Sequence, residues 1–98
     1  MIKIQNLKTF YALRELDDLS WDVCEQGLKA FKTYFPESNT YIIELEESEQ
    51  GGYFKLDVVS ELTDEDQIKV QFEQVLKNWW DTVPEEIQAD FQIGVTYR

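Results

Sequence analysis

The apolar residues of this 98-residue chain change their spacing around Pro36, and that change is what most restricts the folds open to it. Before it, Trp21, Cys24, Leu28, Phe31 and Phe35 follow one another at intervals of three and four, so they share one face of a helix. After it, Tyr41, Ile43 and Leu45 alternate with Ile42, Glu44 and Glu46, the period of a strand with one buried face. A chain that switches period in this way must pack a helical stripe against a sheet, which is the α+β class.

Local signals bound the elements. Ser20 is read as the N-cap of the first long helix, with Asp22 and Glu25 near its positive end, Lys29 and Lys32 toward the other, and Pro36 ending it. Gly27 inside that helix costs about 1 kcal/mol relative to alanine, so a close contact with a neighbouring element is expected there. Alternation resumes with Phe54, Leu56 and Val58 on one side and Tyr53, Lys55, Asp57 and Val59 on the other, giving a β-hairpin. Its connection, within Glu47-Ser48-Glu49-Gln50-Gly51-Gly52, is expected to exceed the tight two-residue kind. Thr63 with Asp66 resembles a capping box opening a second helix with the stripe Ile68, Phe72, Val75, Leu76 and Trp79. Pro84 is expected to stop it or to start a short turn at Glu85-Glu86-Ile87, and Phe91, Ile93, Val95 and Tyr97 alternate as a last strand.

The first 19 residues admit two readings. Lys8 to Glu15 reads as a strand alternating Phe10 and Ala12 with Tyr11 and Leu13, or as a short helix begun by Asn6. The strand is favoured, giving β-α-β-β-α-β, the order of a ferredoxin-like split βαβ with two helices on one face of an antiparallel sheet. The alternative is a short strand at Ile2 to Ile4 followed by two helices.

Length and apolar content fit a single domain over residues 1–98, with too much aromatic bulk for a disordered acidic tail. The single Cys24 excludes an internal disulfide, the start of the chain lacks a signal-peptide core, and no apolar run approaches the ~20 residues of a membrane span. A cytoplasmic location is expected. With no histidine, the commonest general base and metal ligand is missing, and no phosphate loop, dinucleotide fingerprint or metal-binding spacing is present. Cys24 lies on the helical stripe and reads as a small buried hydrophobe. No enzyme activity, cofactor or metal is expected.

Twenty acids against nine bases leave a net charge of -11, which repels nucleic acid and anionic membrane and attracts basic surfaces. The acids are grouped: Asp17, Asp18 and Asp22; Glu44, Glu46, Glu47 and Glu49; Glu61, Asp64, Glu65 and Asp66; Asp81, Glu85, Glu86 and Asp90. Carboxylates spaced over a rigid domain offer an Arg/Lys-lined channel the partners it uses for phosphate oxygens. The candidate partner-binding residues are Glu44, Glu46, Glu47, Glu49, Glu61, Asp64, Glu65 and Asp66, with Tyr53 and Trp80 as aromatic anchors. The ordinary reading of the same acids is a solvated surface that confers solubility.

In size, acidity and aromatic content the chain resembles the small acidic inhibitors made by phages and plasmids, notably anti-CRISPR and anti-restriction proteins. No family motif accompanies the likeness, so it carries no residue assignments. It implies a cofactor-free inhibitor that occupies the basic nucleic-acid site of a nuclease or CRISPR effector, without itself binding nucleic acid. An immunity protein for a nuclease toxin would share this physics. A small adaptor with incidental acidity would instead bind through an apolar patch, with little response to salt.

Overall fold

A computed structural model describes residues 1–49 and 51–97. The chain enters through a short strand β1 (Ile2–Ile4) and then forms two helices, α1 (Leu7–Arg14) and α2 (Asp18–Tyr34). A hairpin of β2 (Thr40–Ser48) and β3 (Gly51–Ser60) follows. Helix α3 (Glu65–Asn78), a 3-10 turn (Trp80–Thr82), a short helix α4 (Glu85–Gln88) and strand β4 (Phe91–Tyr97) complete the fold. The α+β class holds.

The segment favoured above as a strand is helix α1, so the alternative reading of the first 19 residues is the one observed. Its deciding residues are Thr9 and Leu13, four apart and both buried, where an alternation of Phe10 and Ala12 with Tyr11 and Leu13 suggested a strand. Asn6, at φ +58°, caps the helix: its side chain accepts from the Thr9 N–H at 2.9 Å and from the Thr9 hydroxyl at 3.1 Å. The same hydroxyl accepts from the Leu45 N–H at 2.8 Å, tying α1 to the edge of β2.

The other caps also shift. Asp17, rather than Ser20, caps α2, accepting from the Ser20 N–H at 2.7 Å, and Ser20 is buried within the helix. Asp64, rather than Thr63, caps α3, accepting from the N–H groups of Asp66 and Gln67. In the hairpin, Ser48 pairs with Gly51, so the connection is two residues, shorter than expected. Gly51 holds φ +117°, a conformation that glycine adopts without a steric penalty.

The strands lie in the order β1-β2-β3-β4. Only the central pair is antiparallel; β1 runs parallel to β2, and β3 parallel to β4. The sheet is therefore mixed rather than antiparallel, and it carries four helices rather than two. With the helical segments of each crossover grouped, the chain order remains β-α-β-β-α-β. The parallel strands of each unit are immediate neighbours, whereas a split βαβ inserts another strand between them.

One face of the sheet carries Tyr41, Ile43, Phe54, Leu56, Val58 and Phe91, all buried in a single core with Leu13, Val23, Phe31, Phe35, Ile68, Val75 and Ile87 of the helical layer. The two parallel pairs run in opposite directions while both crossovers cover this same face. The crossovers are thus of opposite hand, and one is left-handed against the usual preference. Each contains at least two helical segments instead of a single returning helix.

The contact expected at Gly27 is present. An ideal Cβ there would sit 2.6 Å from Cη2 of Trp79, whose indole is buried against α2. Gly27→Ala should gain about 1 kcal/mol of helix propensity but lose more to overpacking, which costs about 1–3 kcal/mol in well-packed cores. We expect net destabilisation, read as a lower midpoint in chemical denaturation; a higher midpoint would show that Trp79 yields readily.

Candidate protein-binding surface

Because every core residue of the hairpin points toward the helices, alternate residues are left on the opposite face. Pairing across the strands sets Glu44 beside Lys55, Glu46 beside Tyr53 and Ile42 beside Asp57. Glu44, Glu46, Tyr53 and Lys55 are half-buried, packed along the sheet rather than beneath another layer. Among the described residues, the only acids in ion pairs are Glu47, with Lys8, and Asp57, whose Oδ2 lies 3.7 Å from the Lys55 ammonium. Glu47 points to the helical side, away from Glu46.

Asp57 is the buried acid of the open face, at 7% exposure. Its Oδ2 accepts from the Thr96 hydroxyl at 3.2 Å, while Oδ1 is buried with no hydrogen-bond partner among the described residues. Oδ1 lies 2.8 Å from where a Cβ on residue 94 would stand, so Gly94 leaves the space this carboxylate occupies.

The ten candidate residues do not form one surface. Glu44, Glu46, Glu49 and Tyr53 belong to the hairpin and its turn, and Glu44, Glu46 and Tyr53 share the open face. Glu61 follows the far end of β3, eight residues beyond Tyr53, a separation of roughly 25 Å at ~3.3 Å per residue. Asp64, Glu65 and Asp66 surround the start of α3, where they cap the helix or complement its dipole. Trp80 is half-buried in the 3-10 turn and packs on the core, its ring centroid 5.5 Å from that of Trp79. It is on the helical side, opposite Tyr53.

This placement sorts the acid groups by cause. Asp17 and Asp18, the Asp64 group, and Glu85 with Glu86 all stand at helix starts, where the fold itself accounts for them. The hydrogen bond from the Ser20 backbone N–H holds the Asp17 carboxyl below its ordinary value. Of the hairpin acids, Glu47 and Asp57 have local partners, whereas Glu44, Glu46 and Glu49 serve no helix terminus and make no ion pair among the described residues.

A second feature lies at the start of the chain and carries no sequence motif. Ile4, Phe10, Leu13, Arg14, Leu16, Asp18 and Trp21 line an open cleft of about 320 Å³ between β1, α1 and the start of α2. Trp21, placed on the inward stripe by its spacing, is 43% exposed and forms a wall of this cleft. A density of apolar residues in the first 21 positions beyond what one stripe needs was the available signal.

Cys24 is 2% exposed, and burial pushes its thiol up to about 11, so at neutral pH it is neither a thiolate nor accessible. A disulfide thiol reagent at mildly alkaline pH should therefore leave the native chain unmodified and label it once under denaturing conditions; rapid native labelling would contradict the buried placement. Among the described residues no group of three or more His, Cys, Asp or Glu is placed to hold a metal, and no helix is long and apolar enough to cross a membrane. Comparison with protein families, with curated proteins and with solved structures finds no match.

Proposed function

We propose that this protein is a non-enzymatic binding protein that inhibits a nucleic-acid-binding protein by occupying its basic site, in the manner of a DNA-mimicking anti-CRISPR or anti-restriction inhibitor. The observation that supports it most is the set of hairpin carboxylates Glu44, Glu46 and Glu49. They are free of ion pairs among the described residues and serve no helix terminus, in a domain of net charge -11. Such a charge disfavours the compact state through self-repulsion, which gives a function for the excess more weight than solubility alone.

The geometry suits the role. Glu44 and Glu46 project from one face two residues apart, about 6.7 Å at the strand rise. That is close to twice the axial spacing of about 3.4 Å between phosphates along one DNA strand. Held on a hydrogen-bonded hairpin, they are preorganised for a row of arginines, with Tyr53 beside Glu46 as an apolar anchor. The target is then a nuclease or CRISPR effector whose arginines are exposed before DNA binds, met in the cytoplasm of the host cell.

The test is capture of purified nucleases and CRISPR effectors by the tagged protein, at low and high salt and with competing DNA. Capture lost to salt and to DNA is expected. Glu44→Lys with Glu46→Lys should weaken it by about tenfold or more, while Glu65→Lys with Asp66→Lys should have a smaller effect. Equal losses from the two pairs would refute the hairpin as the site, and capture indifferent to salt and DNA would refute mimicry.

A further inference from the structure

Among the described residues nine large apolar side chains are well exposed, and eight of them fall in the first 21 positions, Val70 being the exception. Phe10 at 43% and Trp21 at 43% exposure stand on the walls of the cleft between β1, α1 and α2, with Ile4 beside them. Ile4, Phe10, Leu13, Leu16 and Trp21 line this cleft together, and an exposed apolar surface rimmed by polar groups marks an interaction site. The cleft itself carries one charge of each sign, Arg14 and Asp18, and so no net charge. The whole excess of eleven negative charges lies on residues 22–98.

We propose that this neutral apolar surface is a twofold interface between two copies of this chain. A basic partner finds no surplus of acid here to pair with. A second copy, repelled by the acids of residues 22–98, meets no like-charge surplus at this one. Arg14 and Asp18 both line the cleft. In a twofold contact a residue on one copy faces its counterpart's neighbour and the reverse, so one opposite-charge pair serves twice, Arg14 of each copy against Asp18 of the other. Phe10 and Trp21 supply the aromatic anchors that dominate such contacts. β1 is the edge of the sheet on this side, so the interface also covers an otherwise open strand.

Two copies of net charge -11 repel at long range, so this association tightens as salt rises, whereas capture of a basic target loosens. Sedimentation equilibrium of the full chain from about 0.1 M to about 1 M sodium chloride, across which the Debye length falls from about 10 Å to about 3 Å, reads this directly. We expect a monomer–dimer equilibrium whose dissociation constant falls about tenfold over that range. Phe10→Asp and Trp21→Asp, both at exposed positions, should give monomers with an unchanged circular dichroism spectrum. Arg14→Asp alone should weaken the dimer, and Arg14→Asp with Asp18→Arg should restore it. Glu44→Lys with Glu46→Lys should leave the dimer in place, so this proposal and the inhibitory role stand or fall separately. A chain that stays monomeric at every concentration and salt overturns the proposal and assigns the cleft to a different apolar partner. A dimer that survives Phe10→Asp and Trp21→Asp, or weakens with salt, overturns it as well.

Discussion

The approach of Trp79 to Gly27 is the contact on which the arrangement of layers depends. Gly27 is midway along α2 in the first crossover, and Trp79 ends α3 in the second, so this one close contact sets the distance between the two halves of the helical layer. A Cβ at residue 27 would force the Trp79 indole to shift within a core whose centre, Leu56 and Val58, is almost wholly excluded from solvent. With both crossovers gathered on that side, the apolar face of the sheet is fully used. The other face keeps only scattered apolar side chains, Ile42, Tyr53 and Val59, among polar and charged ones, and no helix covers it.

The open face and the helix starts divide the acidic residues into two populations with different physics. Carboxylates at helix N-termini hold backbone N–H groups and meet a favourable dipole, so the fold gains from them directly. Those of the hairpin stand on a strand pair that needs no charge, and they add to the repulsion within a small domain. For Glu44, Glu46 and Glu49, which make no ion pair among the described residues, this cost to folding is the physical ground for the proposal that they meet a partner. Asp57 differs from both: it is buried beside Gly94 and makes its contacts within the sheet, to Thr96 and Lys55.

Much of this was legible in the residues. Alternation along Tyr41–Leu45 and Phe54–Val58 gave the hairpin and its buried face, because a period of two leaves no other assignment for residues so apolar. Gly27 announced a close contact because a glycine inside a helix has a cost that needs a cause. The first 19 residues misled because over so short a segment an alternating pattern and a helical one overlap. The interaction that decides between them, Thr9 with Leu45, joins residues 36 apart. Sheet order was hidden for a similar reason, since β1 is three residues long and is defined by pairing with distant Tyr41–Ile43. The acid groups and the strand length between Glu44–Glu49 and Glu61–Asp66 were visible, whereas which acids cap helices and which share the open face of the hairpin emerges only from the register. Trp21 fits the inward stripe by spacing and still borders a cleft, because β1 and α1 meet the start of α2 around an open space that no sequence period records.

The most direct measurement of the central claim is a map of backbone amide shifts as an arginine-rich peptide is titrated into isotope-labelled protein. The account predicts that the largest changes fall on Glu44, Glu46, Glu49 and Tyr53, with smaller ones at the starts of α2, α3 and α4. Shifts of equal size at every acidic cluster, or largest at the helix starts, would contradict it and reduce the hairpin acids to an ordinary solvated surface.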